Sequence, residues 1–175
     1  MRLRRLVSWL VLLALVAVWL WSKAPETSAI IAANGQPVHV IDGDSLRIGD
    51  SEIRIAGIDA PEYRQNCMTA DGDPWPCGKA AREALVALAA KPGLVCTARA
   101  KDRYGRSLAD CRTDAGDIAE ALARAGLALD AGDERFDGHV AGIAAAKAAR
   151  RGIWQGAHQH PSDWRKANTP RAIGD

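Results

Sequence analysis

The chain has 175 residues, enough for one compact domain and a short appendage, with 23 basic against 21 acidic residues and a pI near 8.4. Four of the basic residues, Arg2, Arg4, Arg5 and Lys23, lie in positions 1–24, which hold no acid, so the other nineteen face all 21 acids and the remainder carries a formal −2. That balance excludes a nucleic-acid binder working through bulk charge; affinity for a polyanion must come from a local cluster of cations.

In chain order, the first element is an uncharged apolar run from Leu6 to Trp21, preceded by the three arginines. Its 16 residues would span roughly 24 Å as a helix, and the pattern is that of a targeting segment. Trp9, Trp19 and Trp21 stand where interfacial anchors usually sit. Ser22-Lys23-Ala24 offers a small-x-small cleavage pattern, but Pro25 directly after it opposes cutting. Positions 1–24 therefore read as a signal segment or, preferably, an uncleaved membrane anchor. The expectation is a domain facing the periplasm or cell exterior, or secreted if the segment is cut. A linker over 25–36 follows, with Pro25, Ser28 and Gly35.

The domain is expected over 37–157. Val38 to Ile41, Ser45 to Ile48 and Glu52 to Ile58 read as three strands, with Gly49-Asp50 as a hairpin turn. A helix follows, with Ala81, Ala84, Leu85 and Leu88 on one stripe and Pro92-Gly93 to stop it. Leu94 to Ala100 and Ser107 to Arg112 are two further strands about a turn at Tyr104-Gly105. A second helix starts at Asp117, with Glu120 three residues on as in a capping box, and Gly126 closes it. A third places Phe136, Val140, Ile143 and Ala144 on one stripe and ends near Gly152. Positions 158–175 are polar, with Pro161 and Pro170, and read as a fraying tail. The order β-β-β-α-β-β-α-α predicts an α+β domain: an OB-fold, a five-stranded barrel with three helices, behind a hydrophobic anchor helix.

Four cysteines in a chain bound for an oxidising compartment point to disulfides, and no C-x-x-C pair supports zinc. Cys96 and Cys111 are symmetric about the Tyr104 hairpin, so antiparallel strands set them opposite one another. Cys67 and Cys77 then close a loop rich in Gly, Pro and Asp.

The chemistry-bearing residues concentrate between Asp42 and Glu62. Asp42-Gly43-Asp44 ends one strand and Asp59-Ala60-Pro61-Glu62 ends another, which brings Asp44 and Asp59 to one site. With a backbone carbonyl they make a hard oxygen site suited to Ca²⁺ or Mn²⁺. Pro61 stiffens the bend and biases Ala60 away from helix. Each fragment alone is an ordinary turn sequence. Arg54 alters the balance, because an arginine among Ile53, Ile55 and Ile58 needs a partner: those carboxylates, or a phosphate they recruit through metal. Arg106, in Lys101-Asp102-Arg103-Tyr104-Gly105-Arg106, is on its own a hairpin-tip cation.

The stretches VIDGDS, IRIAGIDAPE, KDRYGR, EALARAGLA and RGIW, in this order over roughly Val38 to Gln155, resemble the successive signatures of the micrococcal (staphylococcal) nuclease family. The resemblance implies an OB-fold and calcium-dependent hydrolysis of DNA and RNA to leave 3′-phosphate ends. It assigns Asp44, Asp59 and the Ala60 carbonyl to Ca²⁺, where the family commonly has threonine at the last position. It makes Glu62 the residue that activates or positions water, and Arg54 and Arg106 the contacts to the scissile phosphate. Arg103 and Tyr104 fall where the family lines its nucleotide pocket. A further aromatic expected after the GLA stretch is missing from Leu129-Asp130-Ala131-Gly132-Asp133, with Phe136 as the candidate substitute.

The remaining features have plainer readings. Asp71-Gly72-Asp73 is a solvent loop within the cysteine bridge, lacking the rest of an EF-hand. His158 and His160 lie in the polar tail, Trp154 packs the last helix, Trp75 covers the bridged loop, and Lys147, Arg150 and Arg151 form a solvated helix end. The expected partners are DNA and RNA as substrates and a membrane through the N-terminal segment, with the protein a monomer. The rival expectation is a non-catalytic OB-fold module binding single strands or another polyanion.

Overall fold

Alternating burial along the predicted strands draws them into one curled sheet, as seen in a computed structural model of the protein that describes residues 2–22 and 29–168. After helix α1 (Arg2–Ser22) the chain runs β1 (Ala29–Ala32), β2 (Val38–Val40), β3 (Ser45–Ile48), β4 (Ser51–Ile55) and β5 (Ile58–Asp59). A small hairpin, β6 (Cys67–Met68) and β7 (Pro74–Trp75), leads into α2 (Cys77–Ala89). The long hairpin β8 (Val95–Lys101) and β9 (Ser107–Thr113) follows, then β10 (Gly116–Asp117) and α3 (Ile118–Ala125). The chain continues through β11 (Leu129–Asp130), α4 (Val140–Ala148), a 3₁₀ turn (Gly152–Gln155) and α5 (Pro161–Asn168).

The main sheet has the order β1-β8-β9-β4-β3-β2, with β10 added to β9. Its pairings are antiparallel except that of β4 with β9, which is parallel. In β4 the side chains alternate: Ile53 and Ile55 are buried, and Glu52 and Arg54 face the other way. Leu46, Ile53, Ile55 and Ile58 pack on Leu85 of α2 and on Ile118 and Leu122 of α3, each at most 1% exposed. The second helix is capped as its sequence predicts, with Asp117 Oδ1 accepting from the Glu120 amide at 2.8 Å and Gly126 closing the far end. The result is an α+β domain.

Both predicted cysteine pairs form. Cys96 and Cys111 are direct cross-strand partners with Cα atoms 4.1 Å apart, and Cys67–Cys77 ties β6 to the start of α2. The first closes a separation of 15 residues, so Cys96→Ala/Cys111→Ala should lose about 3 kcal/mol in urea denaturation. A loss below 1 kcal/mol would show that the sheet holds this hairpin without the crosslink.

Several expectations need correction. The 25–36 segment is not all linker, because Ala29–Ala32 pairs with β8 and Ile31 packs on the core. The barrel is not a closed ring of five strands: the sheet is a six-strand path with β10 attached, running from β1 at one end to β2 at the other. The third strand stops at Ile55, since Ala56-Gly57 turn the chain into β5. The third helix begins at Val140, leaving Phe136 in the preceding loop. The domain's helices exceed the expected three because the tail folds into α5. Trp9, Leu13, Leu15 and Trp19 of α1 are exposed, and among the described residues no helix is long and apolar enough to cross a membrane. Lys23-Ala24-Pro25, which complete the cleavage pattern, and positions 169–175 of the tail lie outside the described residues.

Candidate active site

Strand register brings the first acidic pair together. Asp44 immediately precedes β3, whose first residue Ser45 lies opposite Arg54, and Asp59 ends β5, where it pairs with Leu129. Arg54 spans the two carboxylates, Nη1 donating to Asp44 Oδ1 at 2.8 Å and Nη2 to Asp59 Oδ1 at 2.7 Å. Asp44 is 2% exposed and also accepts from Ser45 Oγ at 2.9 Å and from the Ala60 amide at 2.9 Å. It thus stitches the two loops together. Glycine is required before it, because a Cβ at Gly43 would lie 2.7 Å from the methyl groups of Ala60 and Ala81.

Burial pushes the Asp44 carboxyl up to about 7 against the pull of Arg54. Partial burial likewise opposes the charge on Arg54, but Asp44 and Asp59 hold its guanidinium above the ordinary arginine range. A carboxyl with a raised folded-state pKa keeps a proton that the unfolded chain releases near pH 4. The stability of the metal-free protein should therefore fall as pH rises from about 4 to about 7 and level off above. Asp44→Asn should flatten that slope, as read from melting temperature against pH in chelator.

Glu62 follows on the same loop, beneath a part of the chain expected to fray. Gln65, 1% exposed, accepts from the Glu62 amide through Oε1 at 3.1 Å and donates to the Gln159 carbonyl through Nε2 at 2.7 Å. The Met68 amide donates to Ala157 O at 2.8 Å, and Pro161 is buried. This docking seats α5 over the acids. Arg165 donates to Asp59 Oδ1 at 3.0 Å and Oδ2 at 3.1 Å, and to Glu62 Oε1 at 2.6 Å. Partial burial opposes its charge, yet those bonds hold its guanidinium above the usual arginine range. His160 Nδ1 lies 3.9 Å from Asp59 Oδ2.

The long hairpin supplies the opposite wall. Asp102 organises its tip, accepting from the amides of Tyr104 and Arg106 at 2.8 and 3.0 Å and from Arg106 Nε at 2.8 Å. Slight burial opposes ionisation of Asp102, but these bonds keep its carboxyl below the usual range. Arg103 and Arg106 sit 4.8 and 5.6 Å from the centroid of the Tyr104 ring. The whole encloses a cleft of about 1060 Å³. Its lining includes Arg54, Asp59, Glu62, Arg103, Tyr104 and Arg106, as well as Phe136, which carries Arg135 at 5.5 Å over its ring. Lys101, Arg135, Arg165 and Lys166 bring the basic side chains around it to seven. The same lining carries six acids, Asp42, Glu52, Asp59, Glu62, Asp102 and Asp133, so its formal balance is only +1.

The structure thus gathers every predicted side chain, with Asp44 buried as a floor and the rest lining the cleft. Three residues that bear on the site escaped the sequence reading: Arg165, Gln65 and Asp102. Only Asp102 had a local signal, its i,i+4 spacing to Arg106 across a turn. Other candidates take structural roles. His158 packs edge-on against Trp154 at 4.7 Å, and Trp154 lies against the cluster of Cys67, Cys77, Leu129 and Ile153. Trp75 donates to Met68 O at 3.3 Å within the bridged loop, whose Asp73 and Thr69 close a turn on each other.

The donor set fits a hard divalent cation. Asp44 and Asp59 are drawn together on one guanidinium, adjacent to the Ala60 backbone, with oxygen rather than sulfur donors. Among the described residues no group of three or more His, Cys, Asp or Glu side chains is arranged to hold a metal.

Comparison with known proteins agrees with the geometry. Residues 52–156 match the model of the staphylococcal nuclease homologue family. Over 123 residues the chain is 33% identical to the succinoglycan biosynthesis protein ExoI of Rhizobium meliloti (strain 1021), covering 69% of this chain and 64% of that protein. It is 29% identical over 150 residues to a probable staphylococcal-like nuclease, CAN1, of Oryza sativa subsp. japonica, covering 83% of this chain and 42% of that one. An uncharacterized endonuclease of Escherichia coli O157:H7 is 28% identical over 134 residues, covering 73% of this chain and 81% of that protein. The chain spans less than two thirds of the first two relatives. On the matched span and the site it encloses, the chain belongs to the staphylococcal nuclease homologue family.

Proposed function

We propose that the protein is a calcium-dependent, sugar-non-specific nuclease that hydrolyses DNA and RNA to leave 3′-phosphate ends, built on an OB-type barrel and working outside the cytoplasm. The observation that carries this reading is the Arg54 fork joining Asp44 and Asp59 in a cleft shared with Glu62 and Arg106. Two of the relatives compared above bear nuclease or endonuclease in their names, in support of the same chemistry.

Attack on a phosphodiester places extra negative charge on the phosphoryl oxygens. Arg54 and Arg106 supply preorganised guanidinium groups to that charge, each oriented by a carboxylate: Arg54 by Asp44 and Asp59, Arg106 by Asp102. Asp44, Asp59 and the Ala60 carbonyl would hold a calcium ion, which would supply further positive charge to the developing anion. Glu62 takes or orients the proton of the attacking water. Arginine is too weak an acid to protonate the leaving oxygen, and that proton comes from solvent. Tyr104 and Phe136 offer ring faces to unstacked bases, and Lys101 and Arg103 lie beside them for the backbone, an arrangement suited to single strands.

Two disulfides joining all four cysteines support an oxidising compartment. Attachment of the chain to a membrane through the exposed apolar side chains of α1 belongs to the same proposal, and flotation with liposomes tests it.

Mass spectrometry of the products from matched DNA and RNA oligonucleotides, incubated with the full chain in calcium, tests the reaction itself. The expected products end in 3′-phosphate for both sugars. Binding without cleavage in calcium and manganese would instead identify a polyanion-binding module with a blocked site.

A further inference from the structure

The site as it stands is occupied by a cation of the protein's own. Arg165 holds both oxygens of Asp59 and one of Glu62, at 2.6–3.1 Å. Asp59 Oδ1 also serves Arg54, and Asp44 is engaged on both oxygens by Arg54, Ser45 and the Ala60 amide. Every carboxylate oxygen on which a divalent ion would depend is thus already satisfied by protein donors. The acid is buried and the arginine is partly open to solvent: the Asp59 side chain is 5% exposed and that of Arg165 is 39% exposed, at the cleft.

We propose that Arg165 competes with the divalent cation for Asp59, so that this single residue of α5 sets how much calcium the site requires. The inference rests on the nuclease reading for its purpose, although the competition itself does not. Charge gives it direction. Asp44, Asp59 and Glu62 against Arg54 and Arg165 sum to a formal −1, and losing Arg165 makes this −2, which favours a divalent ion. Geometry gives it exclusivity: a guanidinium lying across both oxygens of Asp59 and an ion on that carboxylate claim the same lone pairs, and two cations there repel. The helix does not depend on the arginine for its place, since Pro161, the Gln65–Gln159 bond and the Met68–Ala157 bond dock it independently. Exchange therefore requires only that the Arg165 side chain swing into solvent.

The test is isothermal titration of the full, disulfide-bonded chain with Ca²⁺ alone, without nucleic acid. Arg165→Gln should bind calcium at least tenfold tighter than the parent protein. Arg165→Lys, which keeps the charge but not the fork, should fall between them. Equal or weaker calcium binding in Arg165→Gln overturns the proposal. A readout free of any folding defect is the side-chain Nε–H resonance of Arg165 in the parent protein, identified by its loss in Arg165→Lys. It should shift as calcium is added, and a resonance unmoved at calcium saturation also overturns the proposal. Tighter calcium binding by Arg165→Gln in a protein that never cuts nucleic acid would leave the competition standing and end the nuclease reading. Calcium-dependent cleavage with unchanged calcium affinity would do the reverse.

Discussion

Arg54→Met should cost about 3–5 kcal/mol of folding stability in chelator, together with all measurable cleavage. The stability loss follows from what the arginine leaves behind. Asp44 and Asp59 are 2% and 3% exposed, and removing the guanidinium withdraws the cation and the two hydrogen bonds that offset their burial. Methionine fills much of the volume, so little of the loss belongs to packing. The origin can be isolated, because Asp44→Asn/Arg54→Met no longer carries the buried Asp44 carboxyl that Arg54 serves. That double variant should be more stable than Arg54→Met alone, a coupling that urea denaturation of the four proteins measures. An Arg54→Met protein within 1 kcal/mol of the parent would show that Arg165 alone suffices to neutralise the acids. It would also remove the argument that Arg54 is held in place by the site.

Glu62→Gln should leave the fold intact and lower the turnover rate by about 10²–10⁴, the range for loss of a general base. The substitution is nearly isosteric, Glu62 lies at the rim with a quarter of its side chain exposed, and its backbone bond to Gln65 is unaffected. Binding of single-stranded nucleic acid should change little, so the deficit belongs to kcat rather than to KM. The variant also removes one of the acids held by Arg165, leaving the two bonds to Asp59. Rapid mixing of enzyme with excess labelled oligonucleotide, at saturating calcium, separates rate from affinity. A drop confined to KM would move Glu62 from proton transfer to substrate binding.

Much of this site was legible in the chain because its parts are local. Arg54 declared itself as the outward residue in a strand whose neighbours Ile53 and Ile55 point inward, and the β3–β4 register then placed it beside Asp44. The Cys96–Cys111 bridge was legible for the same reason, as a cross-strand pair about a hairpin. Phe136 was read onto the apolar stripe of the third helix, but that helix begins only at Val140 and leaves it in the preceding loop.

The tail was illegible for the opposite reason. α5 buries Pro161 and little else, so it shows no apolar stripe from which periodicity can be read. Its docking relies on backbone carbonyls of residues 157 and 159, which have no sequence signature. Arg165 meets Asp59 across 106 positions, a distance over which no spacing rule operates. β1 was lost more avoidably: Ile30-Ile31 is a β-branched pair, but four residues inside a polar stretch read as linker. The cost of missing the tail was chemical, since it hid the guanidinium that bonds Asp59 and Glu62.

The central claim is that the Arg54-linked acids, with Glu62 and Arg106, form a metal-assisted phosphodiester hydrolase. The most direct measurement is cleavage of an end-labelled single-stranded DNA by the full, disulfide-bonded chain across a calcium titration, with chelator as the zero point. The expected result is no cutting in chelator, cutting that rises with calcium, and an Asp59→Asn variant whose curve is displaced at least tenfold to higher calcium or is flat. Cutting that proceeds unchanged in chelator, or an Asp59→Asn curve superimposable on that of the parent protein, would contradict it.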